Sequence, residues 1–358
     1  MENSPFVTVV MPVRNEVGFI GRSLDAVLRQ DYPENLLEVL VVDGMSTDGT
    51  RELIAARQAQ YPYLHLIDNP GRIVPTGLNR ALARARGDVI IRVDGHCEIA
   101  PDYVRRCVMQ LCTTGVAAVG GPIETLGLAP LSATIALAMS SKFGVGGAAF
   151  RTVKDRQMFA DTVAFPAYTR AAVMEAGPYD EELVRNQDDE YNYRLREQGA
   201  RILLSPDIHS CYYSRCSLRS LWRQYYQYGY WKVRVMQKHP WQMSARQFAP
   251  PALVAALLLG IGLAAVFPGG FLVLAAVMLL YAAGNLSASL LLARRAGFRH
   301  LRVLPAVFAT LHCSYGLGFL VGLVIFWHRW GDHSTRATTI ASWLTDGARQ
   351  RTTHRPVA

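Results

Sequence analysis

The sequence predicts an α/β domain with a mostly parallel, Rossmann-like sheet, followed by C-terminal transmembrane helices. From residue 6 to residue 93, short apolar runs alternate with amphipathic stretches, which is the pattern of a parallel sheet covered by helices. Farther along, residues 247–293 contain no Lys, Arg, Asp or Glu, as expected of a segment that crosses a bilayer. These two observations divide the chain into a sheet domain and a membrane region.

The sheet domain begins with strands and helices in strict alternation. Each apolar run is short enough for a buried strand, and each intervening stretch has the periodicity of a helix with one apolar face. Ligands of such sheets bind at the carboxyl ends of the strands, so the residues after each strand are the first functional candidates. The predicted strands are 6–11, 38–42, 64–67 and 88–93, and the predicted helices are 18–30, 48–60 and 75–86.

The membrane region is interrupted by a Phe-Pro-Gly-Gly turn at 267–270. About 20 apolar residues cross a hydrocarbon core about 30 Å thick, and both 248–267 and 271–292 meet this length. A third candidate span is 303–327. The alternative is a hairpin buried inside a soluble protein, but the helices of such a hairpin would carry a polar stripe.

The formal net charge of +9 comes from the C-terminal part, because the residues before Tyr213 are net acidic. The basic residues flank apolar runs, which favours a membrane and not a nucleic acid as the partner. The positive-inside rule places the basic segments 213–246 and 294–302, and with them the sheet domain, on the cytosolic side of the plasma membrane. Three spans would place the basic tail outside, so a re-entrant segment remains an alternative and the side of the tail stays open.

A carboxylate and an imidazole follow the last predicted strand of the alternation. Asp94 and His96 can both ligate a divalent cation that neutralises a phosphate, and Gly95 between them allows a close turn of the backbone. The alternative is an ordinary Asp-Gly turn at the end of a strand.

Other polar residues follow the first two strands. The first strand runs into residues 12–16, which could be a solvated turn, and the second ends at Asp43, where a nucleotide base or ribose would lie. Neither a Walker sequence nor Gly-x-Gly-x-x-Gly is present, so phosphate binding would need a metal or cationic side chains. Arg72 and Arg92 are candidates for that role.

A second acidic centre lies at Gln187-Asp188-Asp189-Glu190. Three adjacent carboxylates repel one another, and unless a basic group or a metal offsets this repulsion, one of them is expected to have a raised pKa, which would suit a general base. The alternative is the acidic first turn of a helix, which the helix dipole favours.

Together these motifs resemble the inverting family 2 glycosyltransferases of the GT-A fold, over about residues 6–240. The membrane-anchored exopolysaccharide branch, including succinoglycan-type glucosyltransferases, is the most similar. The motifs that carry the resemblance are 9–16, 41–50, the 94–98 stretch in the Asp-x-Asp position, 186–190 and 224–229.

The resemblance implies a role for each matching residue. Asp94 would hold Mg²⁺ or Mn²⁺ on the diphosphate of a nucleotide sugar, and either His96 completes the metal shell or Asp94 acts with water and phosphate oxygens. Asp188 matches the catalytic base, which would deprotonate the acceptor hydroxyl as it attacks the anomeric carbon from the opposite face. The residues that would line the donor pocket are Pro12, Arg14, Glu16 and Asp43, with Arg72 and Arg92 as helpers.

Some positions depart from the family pattern. His96 replaces the second acid of Asp-x-Asp, Gln187 replaces the Glu that usually precedes the base, and Tyr213 stands where a late metal-binding His is common. The Gln-x-x-Arg-Trp motif of processive synthases is absent, and this favours the addition of a single sugar.

Two segments are candidates for the acceptor side. Residues 217–239 alternate aromatic residues with Arg and Lys, as an amphipathic helix at the membrane interface would, and 131–150 could form a lid near the bilayer. Core packing is the alternative for the aromatic residues. Asp189, Gln224 and Trp231 are candidate acceptor or support residues.

The predicted function is transfer of one sugar from a nucleotide sugar, a UDP-hexose, to a lipid-linked oligosaccharide during polysaccharide synthesis. The alternatives are a polyprenyl-phosphate glycosyltransferase and a catalytically silent membrane scaffold that binds nucleotide. The oligomeric state is left open. The predicted regions are a GT-A domain at 1–212, an interfacial helix region at 213–246, a transmembrane region at 247–328 and a polar tail at 329–358.

Overall fold

A computed structural model describes residues 4–338, and the last part of the predicted polar tail, 339–358, lies outside the described residues. The described residues form two compact units. The sheet unit contains residues 4–123, 153–212 and 334–338, and the helical unit contains Glu124–Thr152 and Tyr213–His333. The chain leaves the sheet unit after Tyr212 and returns to it at Ser334, and Glu124–Thr152 belongs to the helical unit.

The strands of the chain are short and mostly buried. In chain order they are β1 Val7–Val13, β2 Leu37–Asp43, β3 Leu64–Asp68, β4 Val89–Arg92, β5 Cys97–Ile99, β6 Ala118–Gly121, β7 Ile123–Leu126, β8 Met158–Phe159, β9 Ala164–Thr169, β10 Ile202–Leu204 and β11 Ser210–Tyr213.

The helices alternate with these strands and then dominate the C-terminal part. They are α1 Ile20–Leu28, α2 Thr50–Gln58, α3 Val74–Leu82, α4 Tyr103–Thr114, α5 Pro130–Met139, α6 Lys142–Val145, α7 Ala149–Thr152, α8 Arg170–Ala176, α9 Gln187–Glu197, α10 Leu218–Lys238, α11 Ala249–Val266, α12 Gly270–Ala296 and α13 Leu304–Ile325. Short 3₁₀ turns lie at Glu34–Leu36, Pro240–Gln242, Ala245–Gln247, Phe298–His300 and Trp327–Arg329.

The main sheet has eight strands in the order β3-β2-β1-β4-β9-β6-β10-β8. The pairs β1/β2, β2/β3, β1/β4 and β6/β10 are parallel, whereas β9 runs antiparallel between β4 and β6. Every residue of β1 and β2 is buried, as expected for central strands with helices on both faces. The predicted α/β fold with a mostly parallel sheet is therefore confirmed.

The register of the sheet aligns the carboxyl ends of its parallel strands. Val13 pairs with Asp43, and Asp43 pairs with Asp68, so β1, β2 and β3 end at one edge. Val10 pairs with Arg92, which places the end of β4 close to the same edge. The residues that follow these four strands can therefore contribute to one site.

The helical unit contains three helices that are long and apolar enough to cross a membrane. They are Ala245–Val266, Gly270–Ala296 and Leu304–Ile325, and they coincide with the three predicted spans. The chain turns tightly between α11 and α12. The backbone of Leu263 approaches Gly270 so closely that a Cβ at this position would collide with it.

Candidate active site at the strand ends

Arg92 and Asp94 form an ion pair at the end of β4. The Nε and Nη2 atoms of Arg92 each lie 3.0 Å from Oδ1 of Asp94. The Arg92 side chain is buried, whereas Asp94 is a quarter exposed, with a relative accessibility of 25%. Within residues 4–338, Oδ2 of Asp94 has no hydrogen bond or ion pair to the protein. The carboxylate is therefore held by one oxygen and open at the other.

Asp188 acts on the same guanidinium. Burial by itself would lower the pKa of Arg92, but the carboxylates of Asp94 and Asp188 outweigh that effect and raise it. Two acids that lie 94 positions apart in the sequence are thus within electrostatic reach of one buried cation. Asp94 thus contacts Arg92 directly, and Asp188 lies near enough to influence the same guanidinium.

Tyrosine side chains surround Arg92 on its buried side. Tyr168, Tyr179 and Tyr191 line a small cavity with Arg92, and the rings of Tyr179 and Tyr191 stack with centroids 4.0 Å apart. Burial raises the pKa of Tyr179 to about 12, and Arg92 acts in the opposite direction. These packed rings leave the guanidinium little freedom to move away from the two carboxylates.

His96 faces the loop after β1. Its Nδ1 atom lies 3.0 Å from Oε1 of Glu16, and its ring meets Tyr212 edge to face with centroids 5.2 Å apart. The sequence predicts Glu16 in the donor pocket and His96 beside Asp94 on the metal, and the structure joins His96 to Glu16. No group of three His, Cys, Asp or Glu side chains poised for a metal occurs within residues 4–338.

The protein ligands at this edge fit a cation that is held mainly by a substrate. Mg²⁺ and related ions often use one or two carboxylates, with water and phosphate oxygens as the other ligands. The open Oδ2 of Asp94 offers one such contact, and its held Oδ1 fixes the direction of the carboxylate. A site of this kind would form only together with a diphosphate.

Asp43 is fully buried at the end of β2. Its Oδ2 accepts a hydrogen bond from the Ser46 amide at 2.9 Å, and its Oδ1 accepts one from the Ser46 hydroxyl at 2.5 Å. Arg51 completes the set, with Nη1 2.7 Å from Asp43 Oδ2 and Nη2 2.7 Å from Asp68. Arg51 was not among the candidate residues, because only the fold brings α2 to the ends of β2 and β3.

The loops after β1, β2 and β3 are joined by side-chain hydrogen bonds. Arg14 donates from Nη1 to the Arg72 carbonyl at 3.2 Å, and Gly44 leaves room for the Arg14 side chain. Asn15 accepts from the Thr47 amide at 3.0 Å.

Pro12 is the strand residue opposite Val42. The predicted donor-pocket residues therefore gather at one edge of the sheet.

The acidic centre starts helix α9. Glu190 is buried, and its two oxygens pair with Nε and Nη2 of Arg194 at 2.9 and 2.8 Å. Arg194 also donates to the carbonyls of Ala176 and Pro178. Glu190 thus has a structural role, and Asp188 and Asp189 are the more accessible acids of this turn. Asp188 accepts a hydrogen bond from the Asp189 amide at 3.0 Å.

The candidate acceptor residues Gln224 and Trp231 lie on α10 in the helical unit. Gln224 is buried and donates to the Tyr228 hydroxyl at 3.0 Å. Trp231 packs edge to face on Tyr230 and lies 5.7 Å from the ring of Phe326, centroid to centroid. Within their unit both side chains take part in helix packing.

Residues 8–170 match the family model described as "Glycosyl transferase family 2". The chain is 33% identical to the succinoglycan biosynthesis protein ExoA of Rhizobium meliloti over 268 residues, which is 73% of this chain and 81% of that protein.

A second relative comes from Methanococcus voltae. It is a dolichyl N-acetyl-α-D-glucosaminyl phosphate 3-β-D-2,3-diacetamido-2,3-dideoxy-β-D-glucuronosyltransferase, 28% identical over 241 residues, or 65% of this chain and 74% of that protein. Among solved structures, the mannosyltransferase PcManGT from Pyrobaculum calidifontis, in complex with GDP-Man and Mn²⁺, has a similar fold. Its TM-score is 0.58 at 22% identity, covering 89% of this chain and 88% of that one. Motifs, fold and relatives agree, and the chain belongs to glycosyltransferase family 2.

Proposed function

We propose that this enzyme transfers one sugar from a nucleotide-sugar donor, a UDP-hexose, to a lipid-linked oligosaccharide, with inversion at the anomeric carbon. The observation that carries the proposal is that Asp94 contacts Arg92 while Asp188 acts electrostatically on the same guanidinium. One carboxylate can then serve the departing diphosphate while the other serves the attacking hydroxyl. The relatives named for succinoglycan synthesis and for sugar transfer to a dolichyl-linked acceptor support a glycan product.

On the donor side, Asp94 would hold a divalent cation through its open Oδ2. When bound, Mg²⁺ or Mn²⁺ supplies Lewis-acid stabilisation of the negative charge that gathers on the nucleoside diphosphate. The Mn²⁺ in the PcManGT complex supports a divalent metal. His96 follows Asp94 by two residues and would contribute a further contact to the cation if it broke its hydrogen bond with Glu16.

The nucleotide would lie over the ends of β1, β2 and β3. Arg14 and Arg72 present positive charge there, and Pro12 and Glu16 border the same loop. Asp43 would act on the base or ribose through Ser46 and Arg51, since its own oxygens are fully buried and occupied.

On the acceptor side, Asp188 would take the proton from the incoming hydroxyl. General-base assistance of this kind contributes about 10²- to 10⁴-fold to the rate. Asp189 would assist at the same turn. The apolar helices of the helical unit would keep the enzyme in the plasma membrane with its sheet unit in the cytosol, close to a lipid-linked acceptor.

A donor panel tests the proposal. Detergent-solubilised enzyme is offered UDP- and GDP-sugars with Mn²⁺ or Mg²⁺ and a lipid extract that contains the acceptor. We expect metal-dependent turnover of one UDP-sugar, which Asp94→Ala abolishes. Asp31→Asn is the control, because Asp31 is a surface acid that pairs with Arg105. Turnover that a chelator does not affect would refute the metal-dependent site.

The same assay separates the two alternatives. In a polyprenyl-phosphate glycosyltransferase the lipid phosphate itself attacks and needs little help from a base, so Asp188→Asn would keep its activity on a bare lipid phosphate. A silent scaffold would bind nucleotide without turnover of any donor. We expect Asp188→Asn to lose transfer to the lipid-linked oligosaccharide.

A further inference from the structure

The three apolar helices of the helical unit differ in how much of them is covered by protein. The apolar window is 17% buried in the first helix, 6% in the second and 50% in the third. Large side chains on the first two helices are well exposed, including Leu259 at 62% and Leu280 at 79%. The surface of α11 and α12 therefore suits contact with lipid, whereas half of α13 is already packed against protein.

Helices α11 and α12 form an antiparallel hairpin. A Cβ at Gly260 would lie 3.0 Å from Cα of Leu274, and Gly270 abuts Leu263. With this pairing, the first turns of α11, at residues 249–254, are level with about residues 280–285 of α12.

Helix α13 lies across the hairpin at that one level. Asn285 donates to the Pro305 carbonyl at 3.0 Å, and the Tyr281 hydroxyl is hydrogen-bonded to His312 at 3.0 Å. Farther along α13, Gly316 packs on Pro250, and the ring of Phe319 is 5.9 Å from that of Phe248. At 1.5 Å per residue, these contacts span about 20 Å along the axis of α13. Along the axes of α11 and α12 they span less than half of that length, so α13 crosses the hairpin at an angle.

The C-terminal half of α13 is covered by α10, a helix that carries basic residues. Gly318 abuts the backbone of Tyr226, and Gly322 lies next to Tyr230, so the two helices run side by side in the same direction. Gln237 donates to the Phe326 carbonyl at 2.7 Å, and the buried Arg234 donates to the Arg329 carbonyl at 3.3 Å. A helix end bound in this way by a charged arginine and a polar amide is suited to an aqueous face and not to the bilayer interior.

The chain then returns directly to the sheet unit. Ser334 follows His333 and begins the last described segment of that unit. The Glu181 amide donates to the Arg336 carbonyl at 2.7 Å, and Glu181 Oε2 accepts from the Thr338 amide at 2.9 Å. The chain thus leaves the sheet unit after Tyr212 and re-enters it at Ser334.

We infer that only the α11–α12 hairpin crosses the bilayer, and that α13 lies on the side of the membrane where the sheet unit lies. A chain that leaves and re-enters the same water-exposed unit must cross the membrane an even number of times. The exposed apolar surfaces of α11 and α12 suit contact with lipid, whereas half of the apolar window of α13 is buried by protein. This topology also keeps Arg329 and Arg336 on the cytosolic side, in agreement with the positive-inside rule that three crossings would violate.

The inference rests on the membrane association proposed above but not on sugar transfer, and cysteine labelling tests it without an activity assay. Gly269 and Gly331 are exposed, and a Cβ at either position meets nothing within 4 Å, so Gly269→Cys and Gly331→Cys should fold normally. The full-length background carries serine at the cysteines that are not buried, Cys112, Cys211, Cys216 and Cys313. Restoring Cys112, which is exposed in the sheet unit, provides the matched reporter for that unit.

Right-side-out membrane vesicles are treated with a membrane-impermeant maleimide before and after permeabilisation. We expect Gly269→Cys to react in sealed vesicles, and Gly331→Cys and Cys112 to react only after permeabilisation. Reaction of Gly331→Cys in sealed vesicles while Cys112 stays protected would mean that α13 crosses, and would overturn the inference. Protection of Gly269→Cys until permeabilisation would equally overturn it, because the hairpin would not cross. Release of the chain by alkaline carbonate would instead refute the membrane association itself.

Discussion

Arg92 binds a single oxygen of Asp94, with its Nε and Nη2 atoms both 3.0 Å from Oδ1. This arrangement orients the carboxylate and leaves Oδ2 open at the end of β4. Asp188 acts electrostatically on the same guanidinium, so one buried cation is under the influence of the acid proposed for the metal and of the acid proposed as the base.

Arg92→Lys should lower kcat about tenfold. An ammonium group keeps the charge, but it cannot offer two fixed N–H groups to one oxygen while also facing a second carboxylate. Steady-state kinetics at saturating donor and Mn²⁺ measure the loss. Arg105→Lys serves as the control, because Arg105 pairs with Asp31 on the surface. Parental kcat in Arg92→Lys would contradict the positioning role.

Asp188→Asn should reduce kcat by about two to four orders of magnitude and leave nucleotide binding unchanged, because an amide cannot accept the acceptor proton. Transfer assays and nucleotide titration by calorimetry separate the two effects. Glu197→Gln, at the exposed far end of the same helix, should retain activity. Weakened nucleotide binding together with unchanged kcat would assign Asp188 to the donor site instead.

Arg51→Met should raise the KM for the nucleotide sugar severalfold with a smaller effect on kcat. Arg51 holds the buried Asp43 at the end of β2, where the nucleotide is proposed to lie, and neighbouring Asp43 raises the pKa of the guanidinium. Arg57→Met on the same helix is the control, since Arg57 pairs with Asp25. An equal change in KM in both variants would indicate a general effect on α2.

Glu190→Gln should destabilise the sheet unit by about 3 kcal/mol, because it leaves the buried charge of Arg194 without its carboxylate. Thermal unfolding in detergent should show a midpoint several degrees lower. Asp31→Asn, which breaks an exposed pair, should change stability by less than about 1 kcal/mol. An unchanged midpoint in Glu190→Gln would mean that this pair has no net stabilising effect.

His300 should make stability depend on pH. It lies in the turn between α12 and α13, hydrogen-bonded to Thr134 at 2.8 Å, and burial, followed by the charge of Arg299, lowers its pKa below the ordinary value of 6.5. The unfolded chain therefore takes up the proton first, and stability is lost as the pH falls below about 6.5.

The unfolding midpoint, measured from about pH 7.5 to 5.5, should fall less steeply in His300→Gln than in the parent. His328→Gln, an exposed histidine, should follow the parent. An identical slope in His300→Gln and the parent would contradict this assignment.

The sequence alone determined the alternation of strands and helices, the family and the three apolar helices, because these depend on residue order and local periodicity. Asp43 and Asp94 each follow an apolar run that predicts a strand, so both candidates could be found from the order of residues alone. Arg51 was missed, because its partners on β2 and β3 are brought to it only by the sheet.

The tertiary structure decided which acids can act together and which helices are free to meet lipid. Pairing with Arg194 assigns Glu190 to packing, and Arg92 is under the electrostatic influence of both Asp94 and Asp188, which are 94 positions apart in the sequence. Hydropathy likewise measures how apolar α13 is, but not that half of its apolar window is buried by other helices. The physical reason is common to both cases: the charge and polarity around a residue are set by neighbours in space, which the order of residues along the chain does not specify.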